Sequence, residues 1–408
     1  MKGNAIIGQS GGPTTVINSS LCGIVQAAKA CADIEGVYGM RFGVEGFLGE
    51  RIIDLGREAE ETIEALRRTP SSALGSCRYK LRDDDLPRVL EILKKHEIRY
   101  VFLIGGNDTM DTIARVEAYC RGKGYELRGI GVPKTVDNDL FGTDHTPGYP
   151  SAARYVALSV QQAGRLAADM RMVDQFVIHQ TVGRDAGWLA AATALARKHE
   201  GDAPHLIYVP ERALDREQFV SDALDCIETY GFASIVCGEG IVWSDGTPVS
   251  ASTERDRFAN VEFGAMGGTS AAIVLHGILS NAGAKPTGSR LRGEFQITES
   301  LPMCAIDRAS SLDLEEAYEC GRRAVELAEQ GTTGVMVSIQ RSRRSPYHST
   351  LGTIPLAQVA ARTKPMPDEY IAANGHDVSP DFLDYLGPLV GELPSYSVLA
   401  NIPIGGAQ

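Results

Sequence analysis

The apolar run Tyr100-Val-Phe-Leu-Ile104 shows no polar alternation and stops at Gly105-Gly106. A strand that reads this way is buried on both faces, as in a parallel sheet covered by helices on either side. The segment before it fits that arrangement. Leu86–His96 places Leu86, Val89, Leu90 and Leu93 at i, i+3, i+4 and i+7, the stripe of an amphipathic helix. The alternation runs along most of the chain. Strands are expected at Asn4–Gly8, Leu127–Val132, Gln175–His179, Leu206–Val209, Ser234–Cys237 and Val335–Ile339. Helices are expected at about Val16–Ala30, Ala152–Met170, Trp188–His199, Gln218–Tyr230, Ser270–Asn281 and Leu314–Gln330. This order predicts an α/β fold of βαβ units with mostly parallel sheets, and ligands at the carboxyl ends of the strands.

Pro and Gly gather around 142–150 and 283–293, where the chain is expected to cross between two lobes. The first lobe is then residues 1–148, completed by about 307–370; the second is 149–306, completed by about 371–408. Charge narrows the partners. Forty basic residues against 52 acidic give a net charge of −12, which repels nucleic-acid backbones. An anionic ligand must therefore be caught by a local basic pocket. No apolar run approaches the ~18 residues of a membrane span. The N-terminal stretch lacks the pattern of a signal peptide. The eight cysteines are scattered without a C-x-x-C pair, as expected of free thiols in the cytoplasm and not of a zinc site.

Four loops at strand ends carry unusual composition. Gly8-Gln-Ser-Gly-Gly-Pro13 suits either a tight βα turn or an anion site at a helix N-terminus. Gly105-Gly-Asn-Asp-Thr109 offers an amide, a carboxylate and a hydroxyl for magnesium and phosphate oxygens; a helix cap by Asp108 or Thr109 would explain only one of them. Pro133-Lys-Thr-Val-Asp-Asn-Asp139 carries two carboxylates beside a lysine and a threonine, more than a turn requires. One carboxylate suits a general base toward a hydroxyl, and the lysine suits neutralisation of a transferring phosphoryl group. Thr181-Val-Gly-Arg-Asp185 holds an arginine able to fork onto phosphate. Arg78 in Gly75-Ser-Cys-Arg78 and Glu239 in Cys237-Gly-Glu-Gly240 also sit in glycine-flanked loops.

Together and in this order, these loops resemble the phosphofructokinase A-type superfamily. The resemblance covers at least residues 4–240 and, more loosely, 305–395; its most specific parts are Thr-Val-Asp-Asn-Asp139 and Gly-Gly-Asn-Asp-Thr109. It implies two Rossmann-like lobes, a phosphoryl-donor lobe and a sugar-phosphate lobe, with the active site in the cleft between them. It also implies reversible, magnesium-assisted transfer of a phosphoryl group to the C1 hydroxyl of fructose 6-phosphate, in a homo-oligomer (dimer or tetramer). Asp137 matches the catalytic base and Asp139 the acid that supports it and helps hold magnesium. Thr135, Lys134 and Arg184 match residues around the transferred group. Gly11, Gly12, Arg78, Gly106, Asn107, Asp108 and Thr109 fall at the donor, with Asp108 as a second metal ligand. Val182, Gly183, Arg184 and Glu239 match positions that cradle the sugar, and Arg308 is the best match for the 6-phosphate ligand, with Arg290 and Arg292 as competitors.

Asp108 and Lys134 replace glycines of the ATP-using members and resemble the pyrophosphate-dependent ones. Asp108 places a negative charge where an α-phosphate would lie, and Lys134 adds a cation suited to compact pyrophosphate. Asn107 departs from the family's more frequent magnesium-binding aspartate, and the Gln-Arg pair of the 288–308 stretch is altered. The other readings are ATP as donor, sedoheptulose 7-phosphate as acceptor, or a non-catalytic sugar-phosphate-binding paralogue; intact Asp137, Asp139 and Arg184 speak against the last.

Overall fold

The protein is described by a computed structural model covering residues 1–250, 267–282 and 290–400. The expected crossing at 283–293 lies mostly outside the described residues, as does the C-terminal end of the second lobe, 401–408.

Two sheets organise the described residues. The first is built from β1 (Gly3–Gln9), β2 (Ile34–Met40), β3 (Ile52–Asp54), β4 (Ile98–Gly105), β5 (Arg128–Pro133), β10 (Val335–Arg343) and β11 (His348–Pro355). Its order is β11-β10-β5-β4-β1-β2-β3. All pairings are parallel except β2 with β3 and β10 with β11. The second contains β6 (Phe176–Thr181), β7 (Leu206–Tyr208), β8 (Ala233–Gly238) and β9 (Gly293–Ile297), all parallel, in the order β7-β8-β6-β9.

Burial on both faces explains the unbroken apolar run of β4. Tyr100, Phe102 and Ile104 pack with helices Ile17–Ala30 and Ser311–Glu329. Val101 and Leu103 point the other way, into a core formed with helices Leu86–Lys95 and Asn107–Gly122. The pair Ile17–Ala30 and Ser311–Glu329 crosses closely because Gly23 and Gly321 face each other's backbone; a Cβ on either would overlap a carbonyl oxygen, of Tyr318 or Ser20. In the second sheet Phe176 and Ile178 face helices Arg216–Tyr230 and Ala271–Ala282. On its opposite side Ile207, Val209 and Val236 meet helices Tyr149–Met170, Trp188–Ala192 and Pro380–Val390 around Trp188. That last core takes residues from both the middle and the end of the chain.

The helix expected over Trp188–His199 stops at Ala192 and tightens into a 3-10 turn over Thr193–Ala196. The Thr193 hydroxyl donates to the Ala190 carbonyl (2.6 Å), a side-chain bond that competes with regular continuation of the helix. Among the described residues no helix is long and apolar enough to cross a membrane.

Candidate active site

The donor-side loops are tied to one another by backbone bonds. Gly11 N–H donates to the Cys77 carbonyl (3.2 Å), and the Ser76 hydroxyl donates to the Gly11 carbonyl (2.5 Å), so the loop bearing Arg78 lies beside Gly11 and Gly12. Lys134, at the end of β5, is buried; its Nζ donates to the Gly12 carbonyl (2.7 Å) and its N–H to the Gly105 carbonyl (3.1 Å). The ends of β1, β4 and β5 thus bring Gly11, Gly12, Gly106, Lys134 and the Arg78 loop together. Burial pulls the Lys134 ammonium down to about 8, opposed by the charges of Asp137 and Asp139.

Helix Asn107–Gly122 begins at an N-cap, Gly106, with no side-chain cap. Neither Asp108 nor Thr109 acts as the cap, so the first amides of this helix remain available to an anion. Thr109 is buried and folds over Gly105, where a Cβ would collide with the Thr109 side chain. Asn107 Oδ1 is buried and has no hydrogen-bond partner within the protein. Asp108 differs from expectation. Its side chain is 82% exposed and lies 3.8 Å from Lys80 Nζ, so water and a lysine screen the charge expected to exclude ATP. Among the described residues no three His, Cys, Asp or Glu side chains converge into a preformed metal cluster; Asp108 and Asp139 are not gathered into one.

Asp137 and Asp139 are half-buried on the loop after β5. The Thr135 hydroxyl accepts the Asp137 N–H (3.1 Å). Thr135 N–H donates to the Pro147 carbonyl (3.3 Å), closing the loop on itself. Between the two acids Asn138 adopts φ 56, a left-handed conformation that asparagine tolerates better than most residues. Desolvation raises the Asp137 carboxyl to about 7, helped by the like charges of Asp139 and Glu239 and opposed by Arg184 and Lys134. Desolvation also raises Asp139, against hydrogen bonds from its own backbone and Thr135 and the charges of Lys364 and Lys134. A carboxyl that is poorly solvated, crowded by acids and still faced by cations has the basicity a general base needs.

Glu239 and Arg184 reach this point from the second sheet. Glu239 Oε1 accepts the N–H groups of Gly183 (3.2 Å) and Arg184 (3.1 Å), so it holds the loop after β6 while its charge acts on Asp137. Desolvation raises its carboxyl too. Arg184 is exposed and stands at φ 39, with Gly183 at φ 140 before it. A non-glycine residue held in this region is strained, and Glu239 is what holds it. Val182 is half-buried and packs against the core around Trp188. Arg308 is not brought to this cluster. Its Nη1 donates to Ser159 Oγ (3.0 Å) and its guanidinium lies 5.0 Å from the Tyr155 ring, on the flank of helix Tyr149–Met170. Arg292 pairs with Asp174 (2.7 Å) and Arg290 is exposed.

Several supporting residues take their roles from partners distant in the chain. Asp313 is fully buried and accepts from Gly148 N–H (2.9 Å), Ser151 N–H (3.0 Å) and Ser151 Oγ (2.5 Å), serving the N-terminus of helix Tyr149–Met170 from a distant helix. Glu211 accepts from Gly187 N–H (3.0 Å) and Met366 N–H (3.0 Å). Behind the catalytic loop, His145 lies between Asp144 (2.9 Å) and Glu316 (2.6 Å). The pairing partners of these groups lie 24 to 171 residues away except for Asp144, so only the fold assembles them.

Comparison with known proteins agrees with this architecture. Residues 4–286 match the family model described as Phosphofructokinase. The chain is 40% identical to the pyrophosphate–fructose 6-phosphate 1-phosphotransferase of Rhodospirillum rubrum, over 96% of this chain and 95% of that protein. It is 38% identical to the enzyme of the same name from Halomonas elongata, over 95% of this chain and 91% of that protein. Among solved structures, it resembles the pyrophosphate-dependent phosphofructokinase of Nitrosospira multiformis with a TM-score of 0.86 at 35% identity, covering 98% of this chain and 95% of that one.

Proposed function

The chain belongs to the phosphofructokinase family, and from that premise we propose that it transfers a phosphoryl group reversibly from pyrophosphate to the C1 hydroxyl of fructose 6-phosphate. The products are phosphate and fructose 1,6-bisphosphate, and the activity is that of a diphosphate–fructose-6-phosphate 1-phosphotransferase, a glycolytic step. The observation that carries the reading is the setting of Asp137, raised by burial and neighbouring acids and acted on by both Lys134, at the end of a strand of the first sheet, and Arg184, after a strand of the second.

In this mechanism the donor lies on the amides of helix Asn107–Gly122 and the loop of Gly11 and Gly12, with Arg78 and Lys134 beside its charge. Asp137 takes the proton of the acceptor hydroxyl as its oxygen attacks the terminal phosphorus. The bridging P–O bond breaks and phosphate leaves with the electron pair. Lys134 from the first sheet and Arg184 from the second bring positive charge to the transferred group, which matters most in a loose transition state whose charge is spread over the equatorial oxygens. Glu239 fixes the Gly183–Arg184 turn through its two amide contacts, and Val182 and Glu239 border the sugar.

A magnesium ion fits this site. The unpartnered Asn107 Oδ1 and the desolvated carboxylate of Asp139 are oxygen donors that a hard cation satisfies, with Asp108 contributing from solvent. When bound, the ion neutralises donor oxygens. We also propose lobes of residues 1–148 with about 307–370, and 149–306 with about 371–408. A cytoplasmic homo-oligomer is supported by eight free thiols and by β9, which among the described residues is an edge strand and bears the exposed Phe295.

Asp137→Asn tests the base. Such proton transfer typically contributes ~10²–10⁴-fold, so kcat should fall by about that factor with the KM for fructose 6-phosphate little changed. Near-normal turnover would remove Asp137 from the role.

A further inference from the structure

Lys364 lies outside every motif, in the irregular stretch between helix Leu356–Ala360 and the 3-10 turn Asp368–Tyr370. Its side chain turns inward onto a single loop. Nζ donates to Asn138 Oδ1 (3.3 Å), the Thr143 carbonyl (3.1 Å) and the Asp144 carbonyl (2.9 Å). Its backbone N–H donates to the Asp139 carbonyl (2.7 Å), and Thr363 forms an antiparallel bridge with Leu140. Trp188 closes the outer side, its Nε1 donating to the Lys364 carbonyl (3.4 Å) and its ring 5.2 Å from the ammonium.

The partners matter more than their number. Asn138 is the left-handed residue that separates Asp137 from Asp139, and its amide is held on both sides. Oδ1 accepts from Thr146 N–H (3.0 Å) as well as from Lys364, and Nδ2 donates to Tyr385 OH (3.1 Å). Tyr385 OH in turn donates to the Asp144 carbonyl (3.0 Å), so Lys364, Asn138, Tyr385 and Asp144 form a closed ring. An ammonium taken from water is costly unless each donor is met. Here all three acceptors lie between residues 138 and 144. One donor holds the residue between the two acids and the other two hold the Thr143–Asp144 segment of the same loop, so the ammonium joins these two parts of the loop to each other.

We propose that Lys364 is a positioning residue of the phosphoryl transfer: with Asn138 and Tyr385 it fixes the left-handed turn that aims Asp137 at the acceptor hydroxyl. The inference rests on the reaction proposed above. It predicts a defect in the chemical step and not in binding, because neither substrate touches Lys364 in that arrangement.

The test is steady-state kinetics of the full-length enzyme with pyrophosphate, fructose 6-phosphate and magnesium, alongside thermal melting. A misplacement of about 1 Å at a reacting group costs on the order of 100-fold. Lys364→Met should lower kcat roughly 10- to 100-fold, with both KM values within about threefold of wild type. Tyr385→Phe, which removes one side of the ring and keeps the packing, should lower kcat by roughly 3- to 10-fold in the same pattern. A folded Lys364→Met enzyme with kcat within about twofold of wild type, or with raised KM at normal kcat, overturns the inference. If Lys364→Met does not fold, Tyr385→Phe decides by the same criterion. A wild type inactive with pyrophosphate overturns the proposed reaction instead, so the two failures are distinct.

Discussion

The raised Asp137 carboxyl makes activity depend on pH where an ordinary aspartate would not. Its value of about 7 against 3.8 means that the base is about half ionised at pH 7 and about a tenth ionised at pH 6. Only the ionised form accepts a proton, so kcat/KM should be level above about pH 8 and fall to roughly a fifth of its pH 7 value by pH 6. An acid at 3.8 would leave this interval flat. Because Asp137 and Asp139 titrate together, the observed midpoint belongs to the pair. The phosphates of the substrates also titrate, near pH 6, and the variant Glu239→Gln separates the two sources. It removes a like charge facing Asp137, so the acid limb should move to lower pH while substrate ionisation stays unchanged. Rates are best followed by direct measurement of phosphate release, which avoids coupling enzymes that fail at low pH. A level profile from pH 6 to 8, or a limb that Glu239→Gln leaves in place, would refute the assignment of Asp137 as a desolvated base.

Four further expectations come from individual side chains. With Asp108 82% exposed, two like charges about 4 Å apart in near-aqueous surroundings repel by about 1 kcal/mol. Asp108→Gly should therefore raise ATP kcat/KM only about fivefold; a gain of about a hundredfold would show that its charge is the gate after all. Lys134→Met removes a buried cation from the donor loop and should cost pyrophosphate kcat/KM on the order of 100-fold or more without creating ATP use, as donor-varied kinetics will show. Arg308→Ala should raise the KM for fructose 6-phosphate more than that for pyrophosphate; an unchanged sugar KM would transfer the 6-phosphate to Arg290 or Arg292. His145, held between two carboxylates and raised from 6.5 to about 9, favours the folded state fully below 6.5 and loses that contribution as pH rises through about 9, by at most roughly 3 kcal/mol. Melting temperature should fall across that window in the wild type and much less in a His145→Gln protein, and equal slopes would mean that His145 is neutral when folded.

The sequence displayed what is local. The two-faced apolar run of β4, the stripe of Leu86–Lys95 and the glycine loops at strand ends lie within short windows, and so do Asp137 and Asp139. Strands β2, β3, β9 and β11 escaped because they are partly exposed, interrupted by glycine or very short; β3 has three residues. The layer behind the catalytic loop escaped for another reason. Lys364 meets Asn138 across 226 residues, and Asp313 meets Gly148 across 165. Each is a single polar residue whose meaning comes from a partner that no local periodicity announces. Asp108 is the converse case. Its place in the motif was plain, but its exposure, and hence the weight of its charge, depends on how helix Asn107–Gly122 leaves its strand.

A compact donor, held by the buried Lys134 and the start of helix Asn107–Gly122 that no side chain caps, is the one this enzyme is proposed to use. The direct measurement is kcat/KM for pyrophosphate and for ATP on the same purified protein, with fructose 6-phosphate and magnesium saturating. The expected result is rapid turnover with pyrophosphate, the reverse reaction from fructose 1,6-bisphosphate and phosphate, and a pyrophosphate kcat/KM greater than that of ATP by at least ~100-fold. An ATP kcat/KM equal to or above that for pyrophosphate would contradict it.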